Sequence, residues 1–338
     1  MINIALIGLG KMGMSHCALL GAHPDVNLVA VCDTDALVLS AFKKLAGIVC
    51  YSDYKKMIDE LRPDAVFVVT PTNMHFEMVN YALDRGCHVF CEKPFSLTLE
   101  QGEKMAKKVR EKNLVGQVGY VYRFVGTYRE MRRLLKLGII GKPVHFMAEN
   151  YGPVVLKRKS STWRSAKSTG GGCLYDYAAH VLDLVNFVFD DEIIEARGTF
   201  MPSVFSEEVD DAVYSSLFLK SGLGGQLAVN WSDSTHRKAS TSIKVEGDAG
   251  KLEADTTTLK IYVNRDIPEE GLEKGWNVKY LTSLTPQVYY NLRGEEFSLE
   301  DDHFIQCIKD ASKRNIISFD EALKTDTIIH KLIDDSRV

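Results

Sequence analysis

The stretch Gly8-Leu9-Gly10-Lys11-Met12-Gly13 decides the fold of this chain. It follows an apolar run, Ile2–Ile7, that reads as a strand, and it precedes residues patterned as a helix. In this strand–turn–helix context the spacing is typical of a loop that holds a dinucleotide pyrophosphate. Gly8 permits the tight turn, Gly10 lets the backbone approach the phosphates, and Gly13 lets helix and strand pack closely. We therefore predict a dinucleotide-binding domain at the start of the chain.

The periodicity of apolar residues divides the chain in two. Strand and helix patterns alternate to about residue 120, which is typical of a parallel sheet covered on both faces. After Arg123 short alternating runs dominate, which favours a mixed or antiparallel sheet with one face wet or paired to a partner. We predict an α/β Rossmann domain with a doubly wound parallel sheet in residues 1–122. We predict an α+β domain with an open-faced mixed β-sheet in residues 123–338.

The composition excludes several classes of protein. A net charge of −4 over 338 residues disfavours a nucleic-acid-binding protein, since phosphate contacts need clustered Lys and Arg. The seven cysteines are scattered without a CxxC pair, which disfavours a zinc site or a disulfide framework. No apolar stretch is long enough to span a bilayer, and the first residues already read as a strand. We expect a cytoplasmic protein without a metal site, a cleavable leader or a membrane-spanning segment.

Asp33 indicates which dinucleotide is bound. It ends the second predicted strand, about 20 residues beyond the last glycine, where a carboxylate accepts hydrogen bonds from the adenosine ribose hydroxyls. Its charge repels a 2′-phosphate, and no Lys or Arg occurs between Asp33 and Lys43. NAD is therefore favoured over NADP. The alternative is that Asp33 or Asp35 caps the next helix.

The loop after the fourth strand is a second part of the predicted cofactor site. Ligands of open α/β sheets bind outside the carboxyl ends of the strands, where Thr70-Pro71-Thr72-Asn73 lies. A turn or cap role alone suits Thr72 and Asn73 equally well. The remaining candidates for cofactor binding are Lys11, Met12, His75, Glu92 and Lys93.

Lys93 is the first candidate for catalysis. Glu92-Lys93-Pro94 follows the apolar strand His88–Cys91, at the edge where a bound dinucleotide would carry its reactive ring. A lysine leaving so apolar a strand is unusual, because a buried amine is costly without a partner. Pro94 restricts Lys93 to extended conformations, which suits a side chain that must be aimed. The ordinary alternative is a lysine that reaches solvent from a strand end.

A second group of acid–base residues follows Gly170-Gly171-Gly172. On the predicted helix 175–189, Asp176 and His180 are i, i+4 neighbours, and His180 and Asp183 are i, i+3 neighbours. A lone helical histidine is more often structural. A histidine flanked by two carboxylates is a better acid–base candidate, since a carboxylate fixes its tautomer and raises its basicity.

These motifs together resemble the glucose–fructose oxidoreductase / inositol dehydrogenase (Gfo/Idh/MocA) family over nearly the whole chain. The likeness rests on GxGxxG near residue 8, Glu92-Lys93-Pro94, the Gly119-Tyr120…Arg123-Phe124 junction and Gly-Gly-x-x-x-Asp-x-x-x-His. It implies a Rossmann domain that binds NAD or NADP, and an open-faced sheet domain that forms the substrate site and much of the oligomer contact. The catalytic lysine of the family falls on Lys93, and its aspartate and histidine fall on Asp176 and His180.

The resulting hypothesis is hydride transfer between NAD and a secondary alcohol of a sugar, nucleotide-sugar or cyclitol. His180 is the first candidate for the base, with Asp176 or Asp183 to orient it, and Asp176 is also a candidate to bind a neighbouring hydroxyl. Lys93 stabilises the reacting oxygen, although an exchange of roles between Lys93 and His180 stays open. Both groups must then act on one substrate carbon.

Two other functions stay open at this stage. The first is an NAD-dependent glycoside hydrolase or lyase that regenerates its cofactor in each turnover. The second is a non-catalytic NAD-binding regulatory protein, which the intact acid–base residues disfavour. Fold analogy alone does not decide among them.

Several further residues are candidates for contact with a sugar-like substrate, because rings stack on sugars and polar side chains bind hydroxyls. They are Tyr120, Arg123, Tyr151, Trp163, Arg164 and Tyr175, besides Asp176 and His180. Packing is the favoured alternative for Tyr120 and Arg123, which lie at the domain junction. The basic run Lys157-Arg158-Lys159 is a solvated charge run or, less favoured, a phosphate contact.

A one-faced sheet needs covering, so we expect a homodimer or homotetramer. The stretch with Val229, Trp231 and Ile243 is the candidate contact, unless those residues face helices.

Overall fold

The computed structural model describes residues 1–158 and 162–337, so Lys159 of the basic run lies outside the described residues. The strands are β1 Ile2–Ile7, β2 Val26–Cys32, β3 Val49–Tyr51, β4 Ala65–Val68, β5 His88–Cys91, β6 Gly116–Val118, β7 Pro143–Tyr151, β8 Ile193–Phe200, β9 Ala212–Leu219, β10 Gly224–Asn230, β11 Ser240–Gly247, β12 Gly250–Asp255, β13 Thr258–Val263 and β14 Gly275–Tyr280.

The α-helices are α1 Lys11–Ala22, α2 Ala36–Leu45, α3 Tyr54–Leu61, α4 Thr72–Asp84, α5 Leu99–Glu111, α6 Gly126–Lys136, α7 Ala179–Phe189, α8 Leu281–Leu284, α9 Glu295–Lys309 and α10 Phe319–Asp335. A π-helical turn, Leu174–Ala178, directly precedes α7. Short 3₁₀ turns cover Val121–Phe124, Trp163–Ser165, Lys167–Thr169 and Pro268–Glu270.

The described chain forms two compact units. The first contains residues 1–121 and 287–323, and the second contains residues 122–286 with the residues from Lys324 onward. Residues 287–323, which the predicted division assigns to the second domain, therefore group with the first unit.

The sheet of the first unit is parallel throughout and has the strand order β3-β2-β1-β4-β5-β6. This is the order of the Rossmann fold, with its switch point between β1 and β4. Every residue of β4 is buried, as expected for a parallel strand covered on both faces. The carboxyl ends of β1, β4 and β5 lead directly into the Gly8 loop, Thr70 and Lys93.

Helix α9 completes the core of the first unit. Phe67 of β4 and Phe90 of β5 stack with ring centroids 4.5 Å apart, and Phe304 of α9 meets Phe67 edge-on at 5.4 Å. The side-chain amide of Gln117 also donates to the backbone oxygen of Glu300 at 2.9 Å. Helix α9 begins at Glu295, and its first turn is acidic.

The sheet of the second unit has eight strands in the order β14-β13-β12-β11-β7-β10-β9-β8. The β7–β10 pair is parallel and its neighbours are antiparallel, so the sheet is mixed. Helices α6 and α7 cover one face: Tyr128 of α6 donates to the backbone oxygen of Thr241, and Phe189 of α7 contacts Phe146. The predicted fold class, a Rossmann domain with a mixed-sheet domain, is confirmed.

The candidate oligomer residues lie inside the second unit. Val229, Trp231 and Ile243 are fully buried, and the indole N–H of Trp231 donates to Asp211 at 2.6 Å. The alternation of β10 and β11 turns these side chains to the helix-covered side of the sheet. The prediction that they form an oligomer contact is therefore wrong.

Across residues 1–158 and 162–337, every helix is too short or too polar to cross a membrane.

Candidate active site

The glycine-rich loop leaves room for a phosphate. Gly8 has φ +96°, and a Cβ there would overlap the carbonyl oxygen of Val69. A Cβ on Gly13 would overlap the carbonyl of Gly8, whereas one on Gly10 would meet no atom within 4 Å. Helix α1 begins at Lys11 and has no side-chain cap, so the N–H groups of its first turn suit an anion. The loop therefore fits the pyrophosphate of NAD, and Lys11 and Met12 lie in that first turn.

The two aspartates after β2 have separate roles. Asp35 caps α2 by accepting hydrogen bonds from the backbone N–H groups of Leu37 and Val38, at 2.9 and 3.2 Å. Asp33 instead accepts from the N–H of Leu9 at 2.5 Å and from the N–H of Asp35 at 2.9 Å. Its carboxylate therefore lies against the glycine-rich loop, and it keeps lone pairs that a ribose hydroxyl can use.

The predicted loop after β4 is shorter than expected. Helix α4 begins at Thr72 with Pro71 as its N-cap, so Thr72 and Asn73 belong to the first helical turn. Proline suits a helix start because its missing N–H group would have no partner there. Val69, Thr70 and Pro71 form the link at the carboxyl edge of the sheet.

His75 connects two loops and is not placed to contact a cofactor directly, which corrects its predicted role. Its ring is fully buried, with Nε2 2.9 Å from the carbonyl oxygen of Thr70 and Nδ1 3.1 Å from that of Pro94. Burial lowers the pKa of His75, so the ring is neutral. The side chain ties the end of β4 to the turn after Lys93.

Glu92 likewise faces the interior of the first unit, which corrects its predicted contact with the cofactor. One carboxylate oxygen lies 3.2 Å from Nε2 of His16, and the other accepts the backbone N–H of Lys93 at 3.0 Å. Lys93 is half-buried, and its peptide bond to Pro94 is cis. His16 was not among the predicted residues, although it lies three positions after Gly13 on α1.

In the second unit, the residues before α7 bring Arg164 to Asp176. Gly171 and Gly172 donate their N–H groups to the backbone oxygens of Ala166 and Arg164, at 3.0 and 3.1 Å. A Cβ on Gly171 would overlap the Arg164 backbone, so glycine is required there. The Nε of Arg164 then donates to Asp176 at 2.8 Å, and the Asp176 side chain is 8% exposed. The predicted candidates Arg164 and Asp176 thus form one ion pair.

The π-helical turn changes which side chains share a face of the predicted helix. Asp176 lies inside this turn, and His180 lies in the first turn of α7. The α-helical spacing assumed for these residues therefore does not hold across the turn, and π-turns are frequent at functional sites. The ring of His180 is 4.9 Å from the ring of Tyr122, whose hydroxyl accepts from Thr241 Oγ1 at 3.1 Å. Sequence reasoning missed Tyr122.

Arg123 and Asp183 form a buried ion pair. The guanidinium donates to both carboxylate oxygens of Asp183, at 2.8 and 2.6 Å, and both side chains are at most 3% exposed. This two-point contact holds both side chains inside the second unit. The burial of Arg123 contradicts its role as a substrate residue and supports the packing alternative. The role of Asp183 as the orienting carboxylate of His180 stays a prediction.

The other substrate candidates lie in different surroundings. Tyr151 lies on the sheet face opposite to buried Asn150, with its ring stacked at 5.6 Å on His236. Because side chains alternate along β7, Tyr151 lies on the open side of the sheet, and its contact with a substrate stays a prediction. Tyr120 is buried in the first unit. Trp163 is partly buried with the Arg164 guanidinium 4.4 Å from its ring, and burial raises the pKa of Tyr175 to about 12.

Asp210 is a further titratable residue that the sequence analysis did not select. Its carboxylate accepts the N–H of Leu174 at 2.7 Å, and its backbone oxygen accepts the N–H of Cys173 at 2.9 Å. Burial raises the pKa of Asp210 to about 6. Asp210 therefore anchors the start of the π-helical turn.

The basic run at 157–159 shows only a surface contact in its described part. Arg158 lies 3.5 Å from Glu207, and both side chains are exposed. This contact fits the reading of a solvated charge run.

Comparisons with known proteins agree with this architecture. Residues 2–120 match the model of an oxidoreductase family with an NAD-binding Rossmann fold, and residues 128–253 match the GFO/IDH/MocA C-terminal domain. The predicted family and the predicted NAD-binding domain are thereby confirmed.

Curated relatives and solved structures extend the likeness to nearly the whole chain. A scyllo-inositol 2-dehydrogenase (NAD(+)) of Bacillus subtilis is 25% identical over 95% of this chain and 90% of the relative. A myo-inositol 2-dehydrogenase of Thermotoga maritima is 28% identical over 75% of each chain. The structure of a levoglucosan dehydrogenase in complex with NADH and levoglucosan shares the fold, with a TM-score of 0.88, 20% identity and coverage of 99% and 97%.

Proposed function

The chain belongs to the Gfo/Idh/MocA family of oxidoreductases, and from that premise we propose that it oxidises a secondary alcohol of a sugar, nucleotide-sugar or cyclitol with NAD. One observation carries the proposal. Asp176, which forms an ion pair with Arg164, lies in a π-helical turn four residues before His180. A protein that only binds NAD has no need of acid–base side chains arranged in this way.

The substrate class is supported by chemistry and by the relatives. A carboxylate accepts hydrogen bonds from hydroxyl groups and a guanidinium donates them, so the Asp176–Arg164 pair suits a polyhydroxylated ring. Two relatives are named for the oxidation of inositols, which are such rings. A cyclitol or a hexose is therefore the first class to test.

Each candidate residue has one task in this proposal. His180 accepts the proton of the reacting hydroxyl. Lys93 donates a hydrogen bond to the same oxygen and stabilises the negative charge that develops there. Asp176, held by Arg164, binds an adjacent hydroxyl and so selects which carbon reacts.

The atoms and charges of the reaction balance with the bound cofactor. When bound, NAD supplies the hydride acceptor. The alcohol loses a hydride from carbon and a proton from oxygen, and the products are a ketone, NADH and a proton. The residues that would hold NAD are Gly8, Gly10, the first turn of α1, and Asp33, whose arrangement fits a dinucleotide.

A screen of cyclitols, hexoses and nucleotide-sugars with NAD, followed by NADH absorbance, tests the proposal. For an active substrate, His180→Ala should lower kcat by about 10²–10⁴ while the Kd for NADH stays unchanged. His145→Ala is the matched control, since His145 lies on the opposite, open side of the sheet and should leave kcat unchanged. Glycoside cleavage without net NADH would instead support the redox-assisted hydrolase. NADH binding without turnover of any substrate would support the regulatory protein.

We also propose that the open face of the second sheet is covered by a second copy of this chain. Trp276, Val278 and Tyr280 of β14 are 46–59% exposed, and Tyr262 of β13 is paired with Trp276. Large apolar side chains in adjacent rows are unusual on the surface of a monomer. The same face carries ion pairs, such as Lys244 with Glu149 at 2.8 Å, which suits a contact between identical surfaces.

A further inference from the structure

His16 is a polar ring in an apolar position. It is 0% exposed, and its ring centroid lies 5.6 Å from that of Phe67 and 5.0 Å from that of Phe90. A buried imidazole in such surroundings is costly unless both of its nitrogens have partners. Two acidic side chains provide them.

Both ring nitrogens of His16 lie within hydrogen-bond distance of a carboxylate. Nδ1 is 2.9 Å from one oxygen of Asp301 on α9, and Nε2 is 3.2 Å from Glu92 after β5. Carboxylates only accept hydrogen bonds, and a neutral imidazole has one N–H group. A second proton is therefore needed, on the ring or on one of the carboxyl groups.

The charges around His16 place that proton on the ring. Burial opposes a charged ring, but Asp301 and Glu92 outweigh it and raise the pKa of His16 well above its ordinary value. Burial also opposes a charged Glu92, but the hydrogen bond from His16 and the charge of Lys93 lower the pKa of Glu92. Burial raises the pKa of Asp301, although the charge of His16 and its hydrogen bond lower it. With the proton on the ring, His16 donates to both carboxylates, to Asp301 at 2.9 Å and to Glu92 at 3.2 Å.

The third acidic group of the cluster is Glu300. Glu300 on α9 is 1% exposed, and within residues 1–158 and 162–337 its Oε1 has no hydrogen-bond partner. Burial, reinforced by the charge of Glu92, raises the pKa of Glu300 well above its ordinary value. Two groups with weaker influence are His23, which acts on Asp301, and Glu296, which acts on Glu300.

A proton also fits the cluster better than a metal ion does. Ligand atoms of His16, Glu300 and Asp301 lie within 4.8 Å of one another, as they could around a cation. However, Nδ1 and the Asp301 oxygen are separated by the length of an ordinary N–H···O hydrogen bond, so a proton already lies between them.

The cluster leads directly to the backbone of Lys93. The second oxygen of Glu92 accepts the N–H of Lys93 at 3.0 Å, and a Cβ on Gly119 would lie 3.0 Å from that oxygen. Glu92 is thus held by His16 on one side and packed against Gly119 on the other. Any rotation of the Glu92 carboxylate would therefore displace the backbone of Lys93.

We propose that His16 is a positioning residue: anchored by Asp301, its imidazolium fixes Glu92 and through it the backbone of Lys93. This inference rests on the proposed function, in which Lys93 stabilises the reacting oxygen. His16 connects helix α1, which follows the glycine-rich loop, with the end of β5, which carries Lys93. A displacement of α9 would thereby be transmitted to Lys93.

Two matched substitutions test whether the contact of His16 with Glu92 is the one that positions Lys93. The amide nitrogen of Gln reaches about as far as Nε2, and that of Asn about as far as Nδ1. His16→Gln therefore keeps a donor toward Glu92, and His16→Asn keeps one only toward Asp301. We expect similar losses in Tm, a fall in kcat below tenfold for His16→Gln, and a fall of about 100-fold for His16→Asn. The Kd for NADH, measured by fluorescence, should change less than threefold in both.

Equal falls in kcat for the two variants would overturn the proposal, because a purely structural role predicts no preference. If both variants fail to fold, Glu92→Gln gives the decisive comparison. It removes the carboxylate but keeps an oxygen for the Lys93 N–H, and a kcat equal to that of the wild type would overturn the proposal.

Two measurements need no turnover, so they separate this inference from the proposed function. Nitrogen NMR of ¹⁵N-histidine protein, assigned with His16→Gln, should show both nitrogens of His16 protonated at pH 8. A singly protonated ring, or one equivalent of tightly bound metal in the purified protein, would overturn the inference. The labelling rate of the Lys93 amine, read by mass spectrometry, should change in His16→Asn and stay constant in His16→Gln. An unchanged rate in both variants would also overturn it.

Discussion

The carboxylate of Asp33 accepts a hydrogen bond from the backbone N–H of Leu9, at 2.5 Å. This bond joins the end of β2 to the middle of the glycine-rich loop. One side chain therefore shapes the pyrophosphate loop and also offers a negative charge where the adenosine ribose would bind. The choice between NAD and NADP and the shape of the loop are coupled through this contact.

Asp33→Ser should weaken NADH binding about tenfold. It should also reduce the preference of the protein for NADH over NADPH, because the repulsion of a 2′-phosphate is removed. Asp35→Ser is the matched control. It removes a carboxylate two positions away while serine still caps α2, so it should leave both affinities unchanged. Fluorescence titration with NADH and NADPH gives the two Kd values. A ratio of affinities unchanged by Asp33→Ser would exclude Asp33 as the determinant.

Arg123→Met should destabilise the protein by about 3–5 kcal/mol, since it removes the guanidinium from its ion pair with the buried carboxylate of Asp183. The double variant Arg123→Met/Asp183→Leu should recover part of that loss, because both charges of this pair are then removed. Urea unfolding followed by circular dichroism measures both. At temperatures where the single variant is folded, its KM should equal that of the wild type. A raised KM with unchanged stability would restore Arg123 as a substrate residue.

Local patterns were sufficient for part of the site. The glycine-rich loop, the acidic residue after β2 and the lysine after β5 each depend on a few adjacent residues, and the parallel sheet places them at one edge. Sequence also favoured packing for Arg123, because it lies at a junction. The division of roles between Asp33 and Asp35 was left open, since either carboxylate can cap a helix that begins nearby.

The remaining contacts depend on pairing between distant residues. His16 and Asp301 are 285 positions apart, and a helical histidine has no local feature that reveals such a partner. The π-helical turn before α7 also escaped prediction, because its hydrogen bonds depend on Asp210 and on the close approach of Gly171 to Arg164. The sequence alone did not assign Tyr151 to a face of the sheet, because side chains alternate along a strand and a one-residue difference in register reverses the face.

Compared with the wild type, the Asp210→Asn variant should become more stable as the pH rises. Burial raises the pKa of Asp210 to about 6, above the value of about 4 for an unfolded chain. The carboxyl group therefore stabilises the folded state fully below pH 4, and this contribution is lost as the pH rises through 6. Asparagine does not titrate, and its side-chain oxygen still accepts the N–H of Leu174.

The difference in unfolding free energy between Asp210→Asn and wild type should accordingly shift by about 1–3 kcal/mol in favour of the variant between pH 4 and pH 8. Thermal unfolding at several pH values measures it. Asp233→Asn is a control, because hydrogen bonds from Thr235 lower the pKa of the partly buried Asp233. The difference in unfolding free energy between this variant and the wild type should therefore move in the opposite direction. A difference that does not depend on pH would show that Asp210 titrates normally.

Val278→Asp should shift the protein toward monomers. The side chain is 46% exposed on β14, in a row with Trp276 and Tyr280, and a buried carboxylate at a contact between copies would be left without a partner. Lys274→Asp, outside this row and exposed, controls for the change in charge and should leave the mass unchanged. Light scattering coupled to size-exclusion chromatography gives the mass of each variant. A multimer of the wild type that persists in Val278→Asp would place the contact elsewhere, and a monomeric wild type would exclude the homo-oligomer altogether.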